Sequence, residues 1–117
     1  MEEYDDIFDK PHTWPAIGSK FIAIITPQGR LILERKPYLS LIRLIEYIGI
    51  ETVSSFDLKG KDEMPLVSKT RLNLRDYQPA SNGWFVYTTM NTKDKIKLIE
   101  KLGSLTGQQF ICATKLV

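Results

Sequence analysis

The stretch from Asn82 to Val117 constrains the fold more than any other part of the chain, because it predicts a turn, a strand, a helix and a second strand in succession. Asn82 and Gly83 both tolerate positive φ, so this pair predicts a sharp chain reversal. Residues 84–90 are mostly aromatic or β-branched, and both alternating faces of the run are largely apolar or aromatic. The run therefore predicts a central strand that is covered on both sides.

A helix is predicted over residues 93–106. Asn91 or Thr92 can accept the first free helical N–H groups, and Asp94 places a carboxylate where the helix dipole favours one. At about 100° per residue, one half of this helix is apolar, and Lys95 is the exception within it. Gly107 can end the helix in the left-handed conformation. A strand over residues 110–117 is predicted to follow.

The first half of the chain predicts a hairpin and a second helix. Residues 21–26 and 30–36 flank Pro27 and Gly29, which suit a tight turn. A helix is predicted over residues 38–48, because Pro37 fits its first turn and Gly49 can end it. Two further strands are predicted, a weaker one over residues 50–58 and a half-exposed one with a basic outer face over residues 66–74.

This order of elements predicts one α+β domain over residues 16–117, preceded by an acidic N-terminal arm, residues 1–15, that is expected to be mobile. The expected architecture is a ferredoxin-like two-layer sandwich. It would consist of a β-hairpin and two βαβ-like halves, with two helices on one face of a mainly antiparallel sheet. A chain of 117 residues with 43% hydrophobic residues suits one such core.

Composition argues against several classes of function. One cysteine cannot form an internal disulfide, which favours a cytoplasmic location. The longest apolar run, residues 21–25, is too short to cross a bilayer, and no secretion leader is recognised. The only histidine, His12, lies beside Pro11 in the arm, and the glycines are isolated. We therefore expect no metal, no cofactor and no catalytic residue, although sequence spacing alone leaves an assembled active site open.

The charge is unevenly distributed. The chain carries +2 overall, but residues 1–9 hold five acids and no base, so residues 10–117 carry +7. Two rows of positive charge are predicted on the folded part. We call Lys93, Lys97 and Lys101 the helix row, and Lys69, Arg71 and Arg75 the strand row. Like charges four residues apart on a helix repel each other, and a bound polyanion would relieve that repulsion.

These rows favour a small non-catalytic module that binds DNA or RNA, with the two rows as its nucleic-acid-binding residues. Tyr77, Trp84 and Tyr87 could stack on unpaired bases, but aromatic side chains in strands are also typical of a core. A lysine-rich helix face is usually just the solvated side of the helix, and such aromatic residues are more often core than a stacking surface. The alternative is a protein-interaction or inhibitory module that docks through a sheet edge or the acidic arm, including a homodimer joined at a sheet edge. An enzyme of unrecognised type is the third hypothesis.

Overall fold

The structure is a computed structural model, and it describes residues 15, 16 and 18–114. Within these residues, the chain forms a small α+β domain with six strands and three helices. In chain order they are β1 (Ala23–Ile25), β2 (Leu31–Leu33), α1 (Pro37–Ile48), α2 (Ile50–Ser55), β3 (Val67–Ser68), β4 (Tyr77–Pro79), β5 (Phe85–Tyr87), α3 (Thr92–Thr106) and β6 (Ile111–Ala113). Residues 1–14 of the acidic arm lie outside the described part, so its boundary and mobility stay predictions.

The strands form two separate antiparallel sheets, each with three strands. Sheet 1 has the order β2-β1-β6, and sheet 2 has the order β3-β5-β4. The turn that joins β1 to β2 closes where the Gly29 N–H donates to the Thr26 carbonyl at 2.8 Å, so the predicted hairpin is confirmed. β5 is the central strand of its sheet, and Val86 and Tyr87 on its two faces are both buried. The prediction of a covered central strand is therefore confirmed, but the strand covers only Phe85–Tyr87 of the predicted residues 84–90.

Both predicted helices are present with nearly the predicted bounds. The Asn91 side chain accepts a hydrogen bond from the Asp94 N–H and caps α3, which ends at Gly107 with φ 67°. Lys95, the one charged residue in the apolar half of this helix, is buried, and its Nζ donates to the Met90 carbonyl. Burial lowers the pKa of Lys95, because removal from water disfavours the ammonium form.

Residues 50–58, predicted as a strand, instead form the short helix α2 and a turn. Gly49 has φ 111°, a backbone conformation open mainly to glycine, and it lets a new helix begin immediately after α1. Ile50 and Val53 are buried three residues apart, so one helical face reaches the core. The helical spacing of these two apolar residues outweighs the strand preference of Thr52 and Val53.

The predicted strand over residues 66–74 is also mostly wrong, since β3 covers only Val67–Ser68. The Ser68 hydroxyl donates to the Thr70 carbonyl and accepts from the Thr70 N–H, which turns the chain away from the sheet. Asn73 makes a second local turn by accepting from the Asp76 N–H at 2.6 Å. Leu74, expected on the inner face, is consequently 75% exposed.

The ferredoxin-like sandwich is not confirmed. Such a fold needs both βαβ halves in one sheet, but the first half lacks its second strand, and β5 and β6 belong to different sheets. The two sheets share one hydrophobic core, and α1 supplies its centre through the fully buried Leu41, Leu44 and Ile45. The α+β class with two long helices is confirmed, and its single predicted sheet is replaced by two.

The helix phase of α3 can be tested with adjacent substitutions. Leu102 is fully buried and Lys101 is exposed. We expect Leu102→Ala to lower the free energy of unfolding by about 2–5 kcal/mol, because it removes buried methyl groups and leaves a cavity. Lys101→Ala should change it by less than about 0.5 kcal/mol. Urea denaturation of the two variants measures both values, and equal midpoints would contradict this phase.

Candidate nucleic-acid interface

An open cleft of about 390 Å³ lies between sheet 2, the first half of α3 and the loop before β3. We call it the lysine cleft. Its floor is apolar and comes from Leu66, Tyr87, Met90 and Leu98. Its polar side chains are Lys59, Lys61, Thr89 and Asp94. Cations around an apolar hollow suit a ligand that carries both negative charge and apolar surface.

The loop over residues 57–66 is fixed against the floor of the cleft. The Gly60 N–H donates to the Met64 carbonyl at 2.6 Å, and the Leu66 N–H donates to the Leu58 carbonyl at 2.9 Å. Gly60 lies against the Tyr87 ring so closely that a Cβ there would be 2.6 Å from the ring atom Cδ2. Only glycine therefore fits at this position. The contact between Gly60 and Tyr87 holds the flanking lysines at the rim of the cleft.

The loop carries an unusual backbone. Asp57, Asp62 and Glu63 have φ of 55°, 59° and 63°, which is the left-handed region that side chains other than glycine seldom adopt. Strained residues of this kind persist only where surrounding contacts hold them. Within the loop, the Lys59 Nζ donates to Asp57 at 2.9 Å. One of the two loop lysines is therefore partly neutralised, whereas Lys61 forms no ion pair with another described residue.

The other wall of the cleft is the first half of α3. Asp94 and Leu98 line it, and helical geometry places Lys101 about 20° and Lys97 about 60° from Asp94 around the axis. Lys93 lies about 100° away and points farther from the cleft. All three lysines of the helix row are exposed. The cleft itself is lined by Lys59 and Lys61, and Lys97 and Lys101 lie on the exposed side of the helix that forms its other wall.

Arg75 lies close to the cleft through its neighbour Asp76. Hydrogen bonding by Thr89, which lines the cleft, lowers the pKa of Asp76, with smaller contributions from Asn73, Arg75 and Lys61. The carboxylate therefore stays charged and attracts both cations. The Arg75 side chain is 86% exposed, and its Nε lies 3.8 Å from the Asp76 carboxylate. This geometry leaves most of the guanidinium free for another anion.

The remaining two residues of the strand row are engaged elsewhere on sheet 2. Lys69 and Arg71 do not lie on a strand, because β3 ends at Ser68. The Lys69 Nζ lies 4.9 Å from the centre of the Trp84 ring, a distance suited to a cation–π contact. Arg71 donates from Nε to the Tyr77 carbonyl at 3.0 Å and lies over the Phe85 ring. Both side chains therefore have structural contacts, and the strand row is not a continuous basic row.

The three aromatic residues suggested for base stacking belong to the core. Tyr77 is fully buried, and Tyr87 and Trp84 are 3% and 8% exposed. The Tyr77 hydroxyl donates to the Pro65 carbonyl at 2.6 Å, and burial raises the pKa of this tyrosine. These rings have almost no free face, so the stacking hypothesis is wrong for them. Alternating aromatic residues in a strand do not by themselves distinguish a base-stacking surface from a buried core.

Sequence reasoning missed the cleft itself. Lys59 and Lys61 were noticeable as lysines beside Gly60, but the cleft joins them to residues about thirty positions later in the chain. No local pattern encodes that contact. The closest available signal was a glycine between two lysines in a loop before Pro65, since an isolated glycine often marks a close backbone approach.

Other chemistry is limited in the described residues. They contain no group of three or more His, Cys, Asp and Glu side chains that could hold a metal ion, and His12 lies outside them. Burial, with a smaller contribution from Glu100, raises the pKa of the Cys112 thiol to about 11. The thiol is consequently protonated at neutral pH and is a poor nucleophile. None of the described helices is both long enough and apolar enough to cross a membrane.

The chain was compared with protein-family models, with curated proteins and with solved structures, and no match was found in any of the three comparisons.

Proposed function

We propose that this protein is a small non-catalytic module that binds nucleic acid along the lysine cleft. The observation that supports the proposal is an apolar cleft lined by Lys61, next to a helix that carries Lys97 and Lys101 on its exposed side. These three lysines form no ion pair with another described residue. Lys59 and Arg75 extend the same positive surface. A polyanion would neutralise these charges together, and release of its counterions would favour binding.

The arrangement favours a chain of phosphates over a single anion. Lys97 and Lys101 are separated by about 6 Å along the helix axis, and Lys61 belongs to the loop that lines the cleft. Successive phosphates of a flexible strand can follow such a spread of charges, whereas one small anion contacts only some of them. The cleft is lined by no cysteine or histidine, and we assign binding without catalysis to this surface.

Removing the cleft cations should weaken binding of nucleic acid and flatten its salt dependence. We expect the triple variant Lys61→Ala, Lys97→Ala, Lys101→Ala to reduce the slope of log affinity against log salt by about 2 on a single strand. The matched control removes three exposed cations outside the cleft, by Lys20→Ala, Arg35→Ala and Lys36→Ala. Fluorescence anisotropy with labelled single-stranded and duplex probes measures both slopes.

The control distinguishes binding at the cleft from a general attraction of nucleic acid to the positive charge of the protein. Equal losses in the two triple variants would contradict the cleft and leave only a general attraction to positive charge. Absence of binding by the wild-type protein to every probe at low salt would overturn the proposed function. Arg75→Ala should cause a smaller loss of the same kind, whereas Lys69→Ala should have little effect on binding because its ammonium contacts Trp84.

The acidic arm should compete with nucleic acid for this positive surface. Residues 1–9 carry five carboxylates, and residues 10–117 carry a net charge of +7. Deletion of residues 1–9 should therefore tighten the binding of nucleic acid at low salt, and its effect should decrease as salt rises. A full-length control with the same five acids changed to Asn and Gln removes the charge alone. Equal affinities of the wild type and both variants, measured side by side at low salt, would exclude competition.

A second candidate function is a protein-interaction module, and one observation favours it. The outer face of sheet 1 carries only apolar side chains in its three strands, namely Ala23, Ile25, Leu31, Leu33, Ile111 and Ala113. Leu31 and Ile111 lie directly opposite Ile25, and these three are 48%, 58% and 41% exposed. Contiguous apolar surface of this kind is typical of interaction sites.

The edge of the same sheet adds to this candidate. Among the described strands, β6 lies at one edge of sheet 1, and residues 108–114 around it carry no charged side chain. Charges are a common protection of edge strands against pairing with another chain. A second copy paired along β6 would extend sheet 1 into an antiparallel sheet of twice the width, with two-fold symmetry.

Self-association through sheet 1 can be tested by introducing one charged side chain. Ile111→Lys places an ammonium on both the apolar face and the edge strand, so we expect it to shift a dimer to monomer. Leu74→Lys is the matched control, because Leu74 is an exposed leucine in the loop between β3 and β4. Sedimentation velocity over a range of concentrations reports the oligomer. A wild-type protein that stays monomeric throughout would exclude the homodimer.

A further inference from the structure

We infer that the lysine cleft admits one unpaired, amine-bearing nucleobase, while the lysines at its rim hold the neighbouring phosphates. The inference rests on the proposed function and adds the class of ligand that the site prefers. It would make the protein selective for single strands, because the edges of duplex bases are already paired and stacked.

The size and floor of the cleft argue for a base. A volume of about 390 Å³ is at the small end of ligand sites, which run from about 300 to 1,000 Å³. Leu66 and Tyr87 in the floor are 2% and 3% exposed, and Leu98 is half-buried. An apolar floor does not compensate a phosphate for its lost water, whereas the flat uncharged surface of a base is readily buried there.

Asp94 supplies the second argument. Its carboxylate lies in the wall of the cleft, where it would repel a phosphate that entered. A carboxylate accepts hydrogen bonds from the exocyclic amine of cytosine or adenine, and thymine and uracil have no such amine. The backbone N–H of Asp94 is already bonded to the Asn91 side chain at 2.7 Å, so the helix terminus offers one fewer free donor for a phosphate. The acid therefore favours a base inside the cleft and phosphates outside it.

The aromatic ring in the floor limits how the base can lie. The backbone of Gly60 already covers one side of the Tyr87 ring, so a base cannot stack on that side. The base would contact the half-buried side chains of Met90 and Leu98 instead, and its edge would face Asp94. Lys61 lines the cleft from the loop, and Lys97 is exposed on α3 one helical turn beyond Asp94, so these two lysines are the candidates to hold the phosphates before and after the base.

Three single-stranded probes of one length test this inference: oligo-dC, oligo-dT and an abasic phosphodiester backbone. Each presents the same charge, so the proposed electrostatic contact is common to all three. We expect oligo-dC to bind roughly fivefold more tightly than oligo-dT, and oligo-dT more tightly than the abasic probe. A duplex of matched length should bind more weakly than oligo-dC at the same salt.

The variant Asp94→Asn separates base recognition from charge. We expect it to abolish the preference for oligo-dC over oligo-dT, because an amide is a weaker acceptor than a carboxylate. The control is Glu100→Gln, which removes one exposed acid from another face of α3. It should retain the preference. Thermal denaturation of both variants shows whether α3 remains folded.

The outcomes separate this inference from the proposed function. Equal binding of the abasic probe and oligo-dC, with a normal salt slope, would overturn the base site and leave the nucleic-acid function standing. A preference for oligo-dC that survives in Asp94→Asn would also overturn it. If no probe binds at low salt, both the function and the base site are wrong. Loss of the preference in Asp94→Asn alone supports the inference.

Discussion

The burial of one face of α1 is the constraint on which the rest of the structure depends. No described strand is longer than three residues, and three-stranded sheets of such short strands have little stability of their own. Leu41, Leu44 and Ile45 are fully buried, and α1 packs against both β1 and β2 as well as α2 and α3. A hydrogen bond from the Ser81 N–H to the Glu46 carboxylate also ties the loop before β5 to this helix. α2 packs against both α1 and β3, so the two sheets are held together through these helices and a shared core. No hydrogen-bonded ladder joins the two sheets among the described strands.

The lysine cleft is a consequence of this packing. α3 packs on α1, and sheet 2 is fixed to the same core through Val86 and Tyr87, so the first half of α3 faces β5 across a gap. The loop over residues 57–66 closes one end of that gap because Gly60 lies against Tyr87. Each wall thus belongs to a different element, and none of them could form the cleft alone. Its cations are positioned by a rigid helix on one side and by a loop held in left-handed backbone conformations on the other.

The sequence predicted the parts of the fold that depend on local signals. The bounds of α1 and α3 followed from Pro37, Asn91, Gly49 and Gly107, which act within one helical turn. The predictions failed where the apolar residues of a short segment fitted both the period of a helix and that of a strand. Ile50 and Val53 satisfy helical spacing in a stretch that also suits a strand, and only the tertiary contact decides between them. The helix row was found from periodicity, but the cleft was not, because Lys61 and Asp94 come to line one cleft only after α3 and sheet 2 have packed on the core. Burial likewise decided that Tyr77, Trp84 and Tyr87 are core residues.

The number of free cations limits how the proposed function can work. Lys61, Lys97, Lys101 and Arg75 are few, and phosphate contacts alone lose affinity steeply as salt rises. Asp94 stabilises the N-terminal end of α3 through the helix dipole, but it also lowers the local positive charge and so weakens attraction to any polyanion. The contribution of the apolar floor to affinity does not fall in this way, because burial of apolar surface is not screened by salt. A ligand that combines a base in the cleft with phosphates at its rim would therefore retain more affinity at physiological salt than one held by charge. A second copy joined through sheet 1 would strengthen this further, since two clefts on one strand bind with an effective concentration set by their separation.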